Sequence, residues 1–352
     1  MSTEQTPRLE TLINKPPILE ARNLTKHFIS GNALSRRVVR ALQDFNLRLY
    51  PGKVVALVGE SGSGKSTASR LLSRLYEPTS GDILFEGKSV LQHKDRRSML
   101  HYRSEVQMIF QDPFSSLNPI HSVDYHLQRP LQIHHNRRSG KGKTKRSQVL
   151  NLLNRVALDP PEDYASKYPH QLSGGQRQRV AIARALAVEP KVILADEPIS
   201  MLDVSIRIGI LNLMSELRDQ DNIAFLYVTH DLASARYFSD ETMVMYAGHV
   251  VESGGSEELI RQPQHPYTRL LLSAVPDPAR GLRTDEVRAV GEVPALGAAG
   301  HGCPFAARCE FVMDQCRQAM PPVTQLTDTR WVRCYLYGED KKELAGETLS
   351  AN

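Results

Sequence analysis

Short apolar runs recur along this chain, and each stops abruptly at polar or glycine-rich residues. Residues 54–58 are apolar throughout, which predicts a strand buried on both faces. Residues 106–110 form a second such strand, ending at Gln111-Asp112-Pro113, where the proline bars continuation in a central position. A third run begins at Val192 and ends in Asp196-Glu197-Pro198, and a fourth, 224–229, ends at His230-Asp231. Residues 18–28 read as a further strand. Phe45, Leu47 and Leu49 alternate with Asn46 and Arg48, the signature of a half-buried strand. Residues 83–85, a turn at 86–88 and Val90 predict a hairpin, and strands at 242–246 and 249–252 end the series.

Helical patterns fill the gaps. Leu71, Leu72 and Leu75 share a face over 66–76, and Val180, Ile182 and Ala183 line a helix over 177–187. Helices are also expected at 149–156, 205–218 and 257–261, the last broken at Pro263. Tyr267, Leu270, Leu271 and Ala274 stand at i, i+3, i+4, i+7. The stretch from about 112 to 175 reads as a helical subdomain inserted into the core. The chain thus divides into a disordered lead-in (1–17), a core (18–255), an extension (256–337) and a polar tail (338–352).

The strand at 54–58 runs into Gly59-Glu60-Ser61-Gly62-Ser63-Gly64-Lys65-Ser66-Thr67, which fits G-x-x-x-x-G-K-[ST]. Strand, glycine loop and helix are the context that motif needs; a plain glycine turn would not require the lysine and hydroxyl that follow. The glycines let the backbone approach phosphates, and the N–H groups at the helix start face the anion. Lys65 is expected on the β- and γ-phosphates and the Ser66 hydroxyl on Mg2+. Asp196 is the second carboxylate expected on the Mg2+ side, directly or through water, and Glu197 is the candidate general base for an attacking water. His230 is a candidate γ-phosphate contact, and Gln111 a candidate for Mg2+ or water. Such strand ends gathering on one sheet edge are how α/β proteins build a site.

Leu172-Ser173-Gly174-Gly175-Gln176 is the discriminating stretch. It resembles the signature motif of ATP-binding cassette (ABC) proteins, and the order of motifs over about 18–255 is similar to that family's. The resemblance implies an α/β fold: a RecA-like P-loop ATPase core with antiparallel β and helical subdomains, plus a small Cys-containing C-terminal extension. It implies that Phe28 stacks on adenine and that Ser173, Gly174, Gly175 and Gln176 face the γ-phosphate bound to an opposing subunit. It places Asp203 in the loop linking the two sites. The family usually reads Thr-Ser-Ala-Leu-Asp there; Ile199 and Met201 depart from that pattern. Residues 111–119 and 264–269 resemble segments of the ATPases of oligopeptide, dipeptide and nickel importers. That group implies two membrane permeases, a second ABC ATPase and an extracytoplasmic solute-binding protein as partners. A soluble ABC ATPase acting on nucleic acid or ribosomes is the rival. One cassette and no sustained heptads count against it, and no nucleic-acid partner is expected.

Composition changes the picture little. At 352 residues, 41% hydrophobic and 24% charged, the chain is an ordinary globular one of about two domains. No stretch approaches the ~18 apolar residues of a membrane span, and the N-terminal residues lack a signal-peptide core. The chain is therefore expected in the cytoplasm, and the resemblance to the importer ATPases implies the cytoplasmic face of the inner membrane, as a peripheral subunit. Much of the net charge of +5 lies in the basic run 137–146. A solvated loop, contact with anionic lipid and contact with nucleic acid are its three readings.

Cys303, Cys309, Cys316 and Cys334 are spaced x5, x6 and x17 within a 32-residue window. In a cytoplasmic protein, clustered thiols suggest metal rather than disulfides. The spacing fits neither a zinc ribbon nor the bacterial ferredoxin run. Thiolates suit Zn2+ or an Fe–S cluster, and unligated thiols are the third option. The resemblance to the peptide-importer group points to a [4Fe–4S] cluster, with Zn2+ as the alternative.

Overall fold

A computed structural model describes residues 16–30, 37–92, 95–134, 144–273 and 302–338. The first 15 residues of the expected lead-in, most of the basic run and all but the first residue of the polar tail lie outside them.

Two long strands open the chain, β1 (Leu19–Ser30) and β2 (Arg37–Leu49), followed by β3 (Val54–Val58) and helix α1 (Lys65–Leu72). Strands β4 (Ser80–Phe85) and β5 (Lys88–Ser89) make the expected hairpin; α2 (Arg96–Glu105) then leads into β6 (Val106–Ile109). Helices α3 (Pro113–Ser116), α4 (Val123–Ile133), α5 (Lys145–Arg155), α6 (Pro161–Ala165) and α7 (Gly174–Leu186) follow. The core resumes with β7 (Val192–Asp196), α8 (Val204–Asp221), β8 (Ala224–Thr229), α9 (Leu232–Phe238), β9 (Glu241–Tyr246) and β10 (His249–Gly255). Beyond them lie α10 (Ser256–Arg261), α11 (Pro266–Ser273), α12 (Asp314–Gln318), β11 (Thr324–Thr327) and β12 (Arg330–Val332).

The main sheet has the order β11-β12-β10-β9-β3-β8-β7-β6. From β9 to β6 its neighbours run parallel, and β10, β12 and β11 add an antiparallel edge. Every residue of β3, β7 and β8 is buried. The reason is visible in the alternation: Val54, Ala56 and Val58 face a core shared with the helices α4 to α9, while Val55 and Leu57 face a second core. That second core is closed by α1 and a four-stranded sheet of order β2-β1-β4-β5. Layers on both faces are what a continuous apolar strand requires.

Among the differences from the sequence reading, three bear on the site and the extension. The helix after the glycine loop stops at Leu72, short of 76, because Arg74 turns left-handed (φ +55°) and Leu75 is left exposed. Helix α2 was not visible as a periodic pattern: of its residues only Tyr102 and Glu105 are buried, and Asp95 starts it by accepting from the N–H groups of Arg97 and Ser98. The Cys-bearing extension supplies strands to the main sheet, with Glu252 and Ser253 of β10 opposite Val332 and Trp331 of β12. A third apolar cluster joins Val244 and Tyr246 of β9 to Leu259, Tyr267 and Phe305 of the extension.

Candidate active site

The glycine loop spans the gap between β3 and α1. A Cβ on Gly59 would stand 2.1 Å from the Met245 carbonyl oxygen, and one on Gly64 (φ +108°) would stand 2.4 Å from that of Ala41. The loop is therefore pressed against β9 and β2, and only glycine fits at these two places. Ser61 and Gly62 are exposed at its tip, while Ser63 is buried with its hydroxyl unpartnered. The Thr67 N–H donates to the Gly64 carbonyl as α1 begins.

Lys65 is 4% exposed, and its Nζ donates to the Gly59 carbonyl at 2.7 Å and the Glu60 carbonyl at 2.9 Å. Burial pushes its pKa down, against the opposing pull of Glu197, Asp196 and Glu60. A buried cation with neutral carbonyl partners is a fitting donor to anionic phosphate. The Ser66 hydroxyl donates to Asp196 Oδ1 at 3.0 Å. Burial raises the Asp196 pKa, and the Ser66 hydrogen bond lowers it in part. A hydroxyl and a carboxylate in contact are hard oxygen donors, a set that suits Mg2+.

Glu197 follows β7 with φ +46°, a left-handed conformation costing a non-glycine residue roughly 1–3 kcal/mol. Its N–H donates to the Val228 carbonyl at 2.9 Å, which ties it to the end of β8. The strained backbone directs the side chain to meet two others: Gln111 Nε2 donates to Oε2 at 3.0 Å, and His230 Nδ1 lies 3.3 Å from the same oxygen. Residues from β6, β7 and β8 thus converge at one sheet edge. A carboxylate held by an amide donor and an imidazole can accept a proton from water.

Ser173 starts α7: its hydroxyl accepts from the Gln176 N–H while the Gln176 side chain accepts from the Ser173 N–H. The motif glycines also pack. A Cβ on Gly175 would lie 2.7 Å from Ile206 Cγ2 of α8, and one on Gly174 would touch Leu202. Asp203 opens α8 and is exposed. Among the described residues no hydrogen bond or ion pair joins Ser173–Gln176 to the glycine loop, so this chain does not bring the two stretches together by direct bonding. Phe28 is half-buried and meets the ring of Tyr76 edge-on, centroids 5.5 Å apart.

Sequence reasoning passed over two residues at this site. The Glu60 N–H donates to the Tyr267 hydroxyl at 2.8 Å, and the Glu60 carboxylate pairs with Arg308. Tyr267 stood out as one position on a helical face and within the 264–269 resemblance, with no tie to the glycine loop, and nothing in the local sequence marked Arg308.

The four cysteines line one cavity together with Phe305 and Tyr335. Burial pushes the Cys303 thiol up to about 11 and Cys334 up to about 12, and raises Cys309 as well. The convergence fits a shared ligand, but the arrangement does not complete one. Among the described residues no group of three or more His, Cys, Asp or Glu is placed to hold a metal ion. The expectation of a [4Fe–4S] cluster or Zn2+ therefore has no formed site behind it among the described residues; Cys316 is buried and the other three cysteines are half-buried.

A parallel sheet carrying this glycine loop, a hydroxyl–carboxylate pair and a strained glutamate at its edge defines a P-loop ATPase. The chain matches the family described as ABC transporter over residues 42–200, and the oligopeptide/dipeptide transporter C-terminal region over 251–316. It is 39% identical over 321 residues to the dipeptide transport ATP-binding protein DppF of Haemophilus influenzae, covering 91% of this chain and 96% of that one. It is 39% identical over 332 residues to the oligopeptide transport ATP-binding protein AppF of Bacillus subtilis, covering 93% and 99%. A dimeric structure of the bacterial ABC transporter cassette MJ0796 superposes with TM-score 0.60 at 32% identity, over 68% of this chain and 98% of that one. A post-hydrolysis state of that cassette, bound to ADP and Pi, gives the same figures. The chain belongs to the ABC transporter ATPases, in the group of ATP-binding subunits of oligopeptide and dipeptide importers.

Proposed function

We propose that this chain hydrolyses ATP to energise import of peptides or related solutes through a membrane permease. The observation that carries the reading is the convergence of Lys65, the Ser66–Asp196 pair and the Gln111–Glu197–His230 cluster at one edge of the sheet. Lys65 exchanges its two carbonyl partners for β- and γ-phosphate oxygens, with Gly59–Thr67 supplying backbone donors. Ser66 and Asp196 hold Mg2+, which neutralises charge on the phosphates when bound. Glu197 takes the proton of the attacking water; Gln111 orients that water and His230 donates to the γ-phosphate. Phe28 stacks on adenine.

The second half of the site comes from another subunit. Ser173–Gln176 present a helix N-terminus to the γ-phosphate bound opposite, and Asp203 links the paired sites. What supports a face here is the exposure of Met201, Val204 and Ile208 beside the signature helix. Exposed Phe110, next to Gln111, and exposed Ile120 and Tyr125 of the helical subdomain support docking of two permeases. A second ABC ATPase and an extracytoplasmic solute-binding protein complete the system, and the cytoplasmic face of the inner membrane is the proposed location. No helix among the described residues is long and apolar enough to cross a membrane. Residues 18–255 act as the nucleotide-binding domain, with a helical subdomain near 112–175, and 256–337 as its extension.

A metal at the tail is the finer part of the proposal. Four thiols on one cavity support it; the lack of a metal-holding arrangement among the described residues stands against it. Anaerobic purification, metal analysis and visible absorbance of the native chain and of a variant with all four cysteines replaced by serine decide between a [4Fe–4S] cluster, Zn2+ and free thiols.

The experiment for the whole reading is affinity capture from detergent-solubilised membranes. Two permeases and a second ATPase are the expected catch. Ribosomes or DNA without membrane proteins would overturn import and leave only the ATPase chemistry.

A further inference from the structure

Glu60, the second residue of the glycine loop, is held from outside the nucleotide-binding core. Arg308 donates through both terminal nitrogens, to Glu60 Oε2 at 2.9 Å and Oε1 at 3.1 Å. The pairing is bidentate, so it fixes the orientation of the carboxylate as well as its distance. The Arg308 side chain is 6% exposed and that of Glu60 25%, so water screens the pair little. The Tyr267 hydroxyl accepts the Glu60 N–H at 2.8 Å. Glu60 is therefore clasped by backbone and by side chain, and both clasps come from the C-terminal extension.

The clasps are themselves rigidly set. Phe305 is 2% exposed and packs against the rings of Tyr246 and Tyr267, centroids 5.2 and 5.4 Å away. The Arg308 guanidinium lies 5.8 Å from the Tyr246 ring and 5.9 Å from that of Phe305. Its Nη1 also donates to the Tyr246 hydroxyl at 3.4 Å. Tyr246 follows Met245, whose carbonyl oxygen abuts Gly59. On the other side, the Glu60 carbonyl accepts from Lys65 Nζ at 2.9 Å. A continuous set of contacts therefore runs from the extension through Glu60 to the lysine of the loop.

We propose that Arg308 and Tyr267 are positioning residues for the nucleotide: by clasping Glu60 they hold the glycine loop in the shape that receives ATP phosphates. The inference rests on the ATP-site reading above. Neither residue reaches Glu197, Gln111 or His230 by any described hydrogen bond, so the clasp acts on binding rather than on the proton transfer. A loop that must be ordered at each binding event loses affinity, and a saturating nucleotide recovers the rate.

The test is steady-state MgATP hydrolysis by the assembled transporter. Arg308→Met is expected to raise KM for ATP by about tenfold, the scale of one charge-assisted pair, with kcat changed less than about twofold. Arg308→Lys restores part of that loss. Tyr267→Phe, which removes a single oxygen and keeps the ring packing, raises KM by a smaller factor and covers the case in which Arg308→Met fails to fold. Glu60→Gln combined with Arg308→Met adds less than the sum of the two singles, because both break one pair. An unchanged KM in Arg308→Met and Tyr267→Phe, or a loss confined to kcat and thermal stability, would overturn the inference. Failure of the native transporter to hydrolyse MgATP at all would instead overturn the ATPase reading.

Discussion

Oε2 of Glu197 lies 3.3 Å from Nδ1 of His230, and the two residues end neighbouring parallel strands. The contact depends on the left-handed backbone of Glu197, whose N–H is tied to the β8 residue Val228. Strain held by sheet pairing is what places the carboxylate at the edge rather than in the next turn. Replacing Glu197 by Gln keeps the shape and removes the proposed proton acceptor. Turnover is expected to fall by about 10^2–10^4-fold with nucleotide binding retained. Phosphate release and nucleotide binding by the assembled complex measure the two separately; rapid multiple turnover by the variant would exclude Glu197 as the base.

Asp196 and Ser66 form the hydrogen-bonded oxygen pair proposed to hold Mg2+. Chelation of divalent ions should stop hydrolysis. Asp196→Asn should raise the Mg2+ concentration for half-maximal rate by roughly 10–100-fold, the usual cost of disturbing a group that supports a metal ligand. A Mg2+ titration of both proteins gives the ratio, and an unchanged midpoint would remove Asp196 from the ion.

Arg330 and Glu252 are 3% and 0% exposed at the side chain and pair at 3.1 Å. Glu252 also accepts the N–H groups of Gln264 and His265, and Arg330 bonds the Gln262 carbonyl. The pair pins β12 to β10. Arg330→Met strands a buried carboxylate and should cost about 3–5 kcal/mol in chemical denaturation. A loss below about 1 kcal/mol would mean that the tail is held by its apolar contacts instead.

His265 is 1% exposed, and burial pushes its pKa down to about 3. Its Nδ1 accepts the Tyr267 N–H at 3.0 Å, so the folded chain keeps the ring neutral. Below about pH 6.5 the unfolded chain takes a proton that the folded chain refuses. Stability therefore falls as pH drops from about 6.5 towards 3, by up to about 1.4 kcal/mol per pH unit from this group. Above that window His265 contributes no pH dependence. Denaturation midpoints of the native chain should fall more steeply between pH 6.5 and 4 than those of His265→Asn; parallel curves would contradict the assignment.

Local sequence determined the buried parallel strands of the core and marked the glycine loop. The bounds of β3 and β8 were legible to the residue, because an unbroken apolar run suits a strand covered on both faces. The glycine loop was legible because strand, glycines, lysine and hydroxyl are neighbours in the chain. Helix α2 was not legible, since a polar helix held by a cap and two buried residues leaves no periodic signal. Tertiary structure alone decided the relationships across distance. Gln111 meets Glu197 only after β6 and β7 pair, 86 positions apart. Arg308 meets Glu60 across 248 positions because Phe305 packs against the rings of Tyr246 and Tyr267. The four cysteines share a cavity only after the tail folds back along β10. Periodicity acts over a few residues and can be read from a string. Which strand lies beside which, and which carboxylate an arginine finds, follow from burying many surfaces at once.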